Sequence, residues 1–199
     1  MRDKFLHAKH WQLFLLTIIP FILNRYFILD PLLTEMPAHG YPALGSLSVS
    51  SKFLPLILIV ILTPLFYWFW SISTGLQIKI PESAAMKVKK FKLFFFYPVF
   101  YLMLFALYFN LLLMGLLDGI PSPGLFFKMF AMFVVIVPLH LFAMYCIIYI
   151  FYFTAKTYKT ALLQRETSFG DFFGIFFLLL LFPIGVWFIQ PKINKMMKS

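Results

Sequence analysis

Apolar positions in this chain are gathered into five long runs, and polar positions fall mainly in the gaps between them. The runs are Trp11 to Leu29, Phe53 to Leu76, Leu93 to Leu117, Leu125 to Phe153 and Phe172 to Ile189. A hydrocarbon core about 30 Å thick takes roughly 20 apolar residues per crossing. The pattern therefore predicts an all-α membrane bundle of five segments in a single transmembrane domain over residues 1–199. Prolines 20, 55, 64, 98, 138 and 183 lie inside these runs, where membrane helices accept them once neighbours satisfy the freed backbone groups. No internal repeat is visible, and the paired, interrupted segments of many transporters are missing.

The gaps set the orientation. Arg2, Lys4 and Lys9 precede the first run, Lys79, Lys87, Lys89, Lys90 and Lys92 follow the second, and Lys156, Lys159 and Arg165 follow the fourth. The two alternate gaps hold only Lys52 and Lys128, beside Asp30, Glu35 and Asp118. Basic residues near span ends mark the cytoplasmic side, so the N-terminus is expected there. Five full crossings would then place Lys192, Lys195 and Lys198 outside. The alternative is a re-entrant fifth segment that dips in over 172–182 and turns at Pro183-Ile184-Gly185. Irregular backbone at membrane depth must be shielded by protein or water, and a C-terminal tail weighs little in orientation. Five crossings are the expectation. The first run is too long for a signal-peptide core and lacks a small-x-small site, so it is read as a retained span.

Local signals refine the connections. Residues 30–51, rich in Pro, Gly and Ser, read as an outer loop. Residues 154–166 contain helix formers and no breaker, which predicts that the fourth span continues about 18 Å into the cytoplasm. Ser168-Phe-Gly-Asp171 has the spacing of a capping box, in which the N3 carboxylate reaches back to the cap amide.

Composition agrees with this picture. Apolar residues make up 62% and charged residues 12%, against roughly 25% charged in soluble domains. The net charge of +10 flanks membrane spans, so inner-leaflet anionic lipid, at about 1 kcal/mol per basic residue, explains it better than nucleic acid. The single cysteine, Cys146, excludes an internal disulfide.

Few residues offer chemistry. His140 lies near the middle of the fourth span, two residues after Pro138; an ionisable group there is either a pathway residue or an imidazole bonded to a neighbour. Asn110 in the third span reads first as interhelical glue. Arg25 either snorkels to the outer headgroups or lines a pathway. Pro183 and Gly185 mark a broken segment that could line a pore. Ser71 with Gly75, and Gly170 with Gly174, are small-xxx-small pairs that permit close helix approach. Lys87, Lys89, Lys90 and Lys92 form a basic cluster suited to anionic lipid, or simply to anchoring topology. His7 and His10 lack a third ligand and make a poor metal site. There is no HExxH, G-x-S-x-G or Walker loop. No catalytic residue, cofactor or metal is expected.

The stretches WFWSISTGLQIKIPE, KVKKFKLFFFYPVFY and LFPIGVWFIQPKIN resemble uncharacterised multi-pass inner-membrane proteins of Bacteroidota. That resemblance implies a bacterial inner membrane and no transferable activity. The functional expectation is a non-enzymatic accessory or assembly subunit, packing in the bilayer against protein partners. The alternative is a small homo-oligomeric channel or membrane-perturbing effector, lined by His140, Asn110 or the Pro183–Gly185 break. Arg25 would be a further lining residue if it faced inward.

Overall fold

The computed structural model describes the backbone of residues 2–26, 44–117, 125–182 and 184–198, and side chains over 5–26, 59–109, 130, 133–182 and 184–198. Every regular element among them is helical: α1 (Arg2–His7), α2 (His10–Asn24), α3 (Leu44–Gly75), α4 (Val88–Leu117), α5 (Leu125–Leu163), α6 (Phe169–Leu180) and α7 (Ile184–Lys198). A short 3-10 turn, Leu76–Lys79, ends α3. Helices are what apolar sequence of this length must form in lipid, because only they satisfy every backbone group internally. Over the described residues, Ile59–Lys79, Val88–Phe109 and Phe133–Leu163 are long and apolar enough to cross a bilayer, which marks this as a membrane protein.

Three boundaries depart from the sequence reading. Helix α3 begins at Leu44, two residues after Pro42 and inside the stretch expected to be loop. Helix α5 runs unbroken past Pro138 for 39 residues and stops at Leu163, three residues short of the expected end. Gln164 stops it by taking a left-handed φ of 52°. Its side-chain amide donates to the Ala161 carbonyl at 2.7 Å and to the Lys79 carbonyl at 2.8 Å, which holds the reversal in place. The fifth apolar run is two helices rather than one. Leu181 and Phe182 form a turn between α6 and α7, and the 12 residues of α6 rise only about 18 Å.

By backbone proximity the chain forms two compact units. The first comprises Met1–Ile18, Leu62–Phe96 and Cys146–Ser199. It holds the main core: Leu6, Trp68, Phe69, Ile72, Leu76, Phe91, Ile150, Phe153, Tyr158, Phe172, Leu179, Val186, Ile189 and Ile193 are all buried. Lipid tails are as apolar as these side chains, so dispersion and ring contacts, rather than escape from water, must hold them together. Phe91 stacks on Phe153 with centroids 4.6 Å apart, Trp70 lies 4.9 Å from Phe95, and Phe69 meets Phe151 edge-on at 5.1 Å. The second unit comprises Ile19–Ile61 and Tyr97–Tyr145; Pro98, Tyr101, Ala106 and Ala143 are buried in it.

Candidate functional site: a buried polar junction

The densest polar arrangement lies in the first unit, where α7 meets α1 and α3. One face of α7 buries Gly185, Val186, Ile189 and Ile193, and Gln190 falls on that same apolar face, fully buried. A buried amide has to find partners. The Trp68 indole Nε1 donates to Gln190 Oε1 at 2.8 Å. An indole can only donate, so the amide orientation is fixed by chemistry and not by choice. Gln190 Nε2 then points at the end of α1, 3.0 Å from the Phe5 carbonyl and 3.1 Å from those of Leu6 and Ala8. The Phe5 carbonyl also takes the Ala8 amide at 3.4 Å, whereas those of Leu6 and Ala8 lie where this six-residue helix has no further turn to satisfy them. Asn194, one turn on, accepts from Gln190 Nε2 at 3.0 Å and donates to the Ala8 carbonyl at 3.0 Å. Donors thus run in one direction, from Trp68 through Gln190 and Asn194 to the N-terminal segment.

Around this junction the packing is close. The Trp187 ring lies 4.6 Å from His10 and 5.6 Å from Phe14, and Phe182 lies 5.7 Å from Trp68. A Cβ at Gly185 would fall on the Leu178 carbonyl, so only glycine lets α7 return against α6 at that point. A Cβ at Gly75 would meet the Leu6 side chain, so the small residue there admits α1.

Hydroxyls in the same unit serve structure. Ser71 and Thr74 donate to the Tyr67 and Trp70 carbonyls of their own helix, each at 2.8 Å. Thr154 donates to Ile150 at 2.7 Å, leaving Ser73 to donate to Thr154 at 2.8 Å between α3 and α5. Thr160 and Thr167 pair at 2.8 Å across the α5–α6 corner. Thr157 Oγ1 and the Tyr158 hydroxyl are buried with no hydrogen-bond partner among the described residues.

The capping box at Ser168 is present. The Asp171 carboxylate accepts the Ser168 amide at 2.9 Å and hydroxyl at 3.0 Å, and Arg165 grips it through two nitrogens at 2.8 and 3.3 Å. The Arg165 hydrogen bonds first, then those from Ser168, hold the Asp171 pKa down at about 2.

Of the residues singled out from sequence, Ser71, Gly75 and Gly185 lie in the first unit. His140 belongs to the second unit, exposed, with Nδ1 3.1 Å from the buried Tyr101 hydroxyl. Arg25 is exposed at the end of α2. The Asn110 side chain and Pro183 lie outside the described residues. Gly75 and Ser71 sit in the core, whereas Gly170 and Gly174 are exposed; nothing lies within 4 Å of a Cβ built at Gly174, and only Ser168 Oγ, at 4.0 Å, near Gly170. Lys87, Lys89, Lys90 and Lys92 are exposed at the start of α4, and Lys90 Nζ sits 5.1 Å from both the Phe94 and Tyr149 ring centroids.

Sequence reasoning passed over Gln190 and Asn194. The signal was present: two amides four residues apart, one of them on the apolar face formed by Val186, Ile189 and Ile193. No family model, curated protein or solved structure matches this chain.

Proposed function

We propose that the protein is a non-enzymatic accessory or assembly subunit of a bacterial inner-membrane complex, with both termini in the cytoplasm. The observation that carries the subunit reading is the outward face of α6. There Gly170 and Gly174 leave open space beside exposed Phe173 and Phe177, a surface on which a partner helix can approach closely. The polar groups of the first unit support it too, since most of them bond to one another or to their own backbone.

The placement of the termini draws on the α6–α7 hairpin. Helix α6 is too short for a 30 Å core, and Gln190 and Asn194 bind the segment around Phe5 and Ala8. In this reading the three long helices cross together with the first run, whose apolar residues continue beyond α2 to Leu29, and the fifth is a re-entrant hairpin. Lys192, Lys195 and Lys198 then join the other basic residues on the cytoplasmic side, and the conflict with the charge rule disappears.

A second reading, a homo-oligomeric channel, is favoured by the exposed His140 in the middle of a long apolar helix. Native mass spectrometry of gently extracted protein separates the two. Stoichiometric unlike chains, lost on Gly174→Leu and retained on His140→Leu, support the subunit. A closed ring of identical chains whose conductance changes with His140→Leu supports the channel.

A further inference from the structure

We infer that the exposed side of α7 is a binding surface for anionic phospholipid headgroups of the inner leaflet. The helix changes character along a single face. Ile184 and Phe188 are exposed apolar side chains on it, and Lys192 and Lys195 continue the same face at helical spacing, both exposed. Trp187 and Lys198 flank it and are exposed as well. The switch from apolar to basic takes four residues, about 6 Å of rise, which is the scale of the passage from acyl chain to headgroup. Aromatic side chains followed by lysines are what a helix carries where it leaves hydrocarbon for the interface.

The charges on this face have no internal use. Arg165 is paired with Asp171 and Lys156 with Glu166, while Lys90 lies over two rings. Lys192, Lys195 and Lys198 form no ion pair among the described residues. Exposed Lys9 adds a fourth cation nearby, because its neighbour Ala8 accepts the Asn194 amide. Gln190 and Asn194 fix the helix beneath, so the lysines project from a rigid support at a set depth. Phosphodiester groups complement such a row. Helix-dipole complementarity explains cations in the last turn, but not the Lys192 charge a turn and a half earlier, nor the apolar side chains aligned with it.

This inference rests on the cytoplasmic placement of the C-terminus. The test reconstitutes the full chain in bilayers of phosphatidylcholine alone and of equal parts phosphatidylcholine and phosphatidylglycerol, then counts retained lipids by native mass spectrometry. Each lysine should favour the anionic lipid up to about fivefold. Lys192→Gln, Lys195→Gln and Lys198→Gln together should therefore remove the part of the preference that α7 contributes, and added salt should do the same. Lys87→Gln, Lys89→Gln and Lys92→Gln together should leave the α7-associated lipids in place. A preference untouched by the α7 triple variant overturns the proposal. So does a triple variant destabilised equally in both bilayers, the mark of a purely dipolar role. Labelling of Ser199→Cys in intact and opened cells tests the topology separately. Outside labelling with an intact lipid preference removes the inner leaflet from the proposal and the re-entrant reading with it, and inside labelling supports both.

Discussion

Replacing Gln190 by leucine keeps the volume of a fully buried side chain and removes every hydrogen bond it makes. The Trp68 indole, 1% exposed, is left with a buried N–H and no acceptor. A stranded donor of this kind costs about 1–3 kcal/mol. The two amide protons shared among the carbonyls at the end of α1 are lost too: Ala8 keeps the Asn194 donor and Phe5 the Ala8 amide, but Leu6 keeps neither, and bonds between membrane helices average about 0.6 kcal/mol. Together these predict a loss of about 3 kcal/mol. Reversible unfolding in bicelles, followed by circular dichroism, measures it. Trp68→Phe removes the donor itself, so Gln190→Leu should cost about 1–2 kcal/mol less in that background. Hydrogen exchange at the amides around Phe5 to Ala8 should rise in the single variant, because α1 loses its end cap. A single variant within about 0.5 kcal/mol of the parent, or strictly additive substitutions, would show that the junction holds nothing together.

Other perturbations test separate parts of the structure. Gly185→Ala should disrupt the α6–α7 turn by about 2 kcal/mol or more, because its Cβ meets backbone, whereas Gly75→Ala should cost less because Leu6 can rotate away; thermal unfolding of the two side by side checks the order. Tyr158→Phe should leave stability unchanged or raise it, since it deletes a buried hydroxyl with no partner among the described residues; a marked loss would reveal a partner for it. Asp171 has its folded pKa lowered to about 2 from 3.8. Its contribution is therefore full above about pH 4 and fades as pH falls toward 2. Hydrogen exchange at the α5–α6 corner should become acid-sensitive in that window, and Asp171→Asn should abolish the dependence.

What was legible in the sequence is what is local. The box at Ser168 and Asp171 needs four consecutive residues, and the continuation of α5 to Leu163 needs only helix formers without a breaker. Apolar runs long enough to cross are likewise a property of single segments. The junction was hidden because its partners are far apart: 122 residues separate Trp68 from Gln190, and 185 separate Gln190 from Phe5. Glycine spacing misled for a related reason. Two pairs with the same i, i+4 signature differ in what lies opposite, with Leu6 against Gly75 and open space beside Gly174. Spacing cannot report a neighbour contributed by another segment. The split of the fifth run was half visible, since Pro183 and Gly185 announced a break without showing where the second half would bind.

The junction also imposes an order on synthesis. Phe5, Leu6 and Ala8 leave the ribosome before Trp68, and Gln190 comes more than a hundred residues after that. Until it arrives, the indole N–H and the bare end of α1 must find water, lipid headgroups or a chaperone. The first unit therefore cannot close while the chain is growing, however quickly its individual helices insert. A chain cut short before Gln190 would keep its long helices and still display an unfinished N-terminus, a flag by which membrane proteases could tell it from the finished protein.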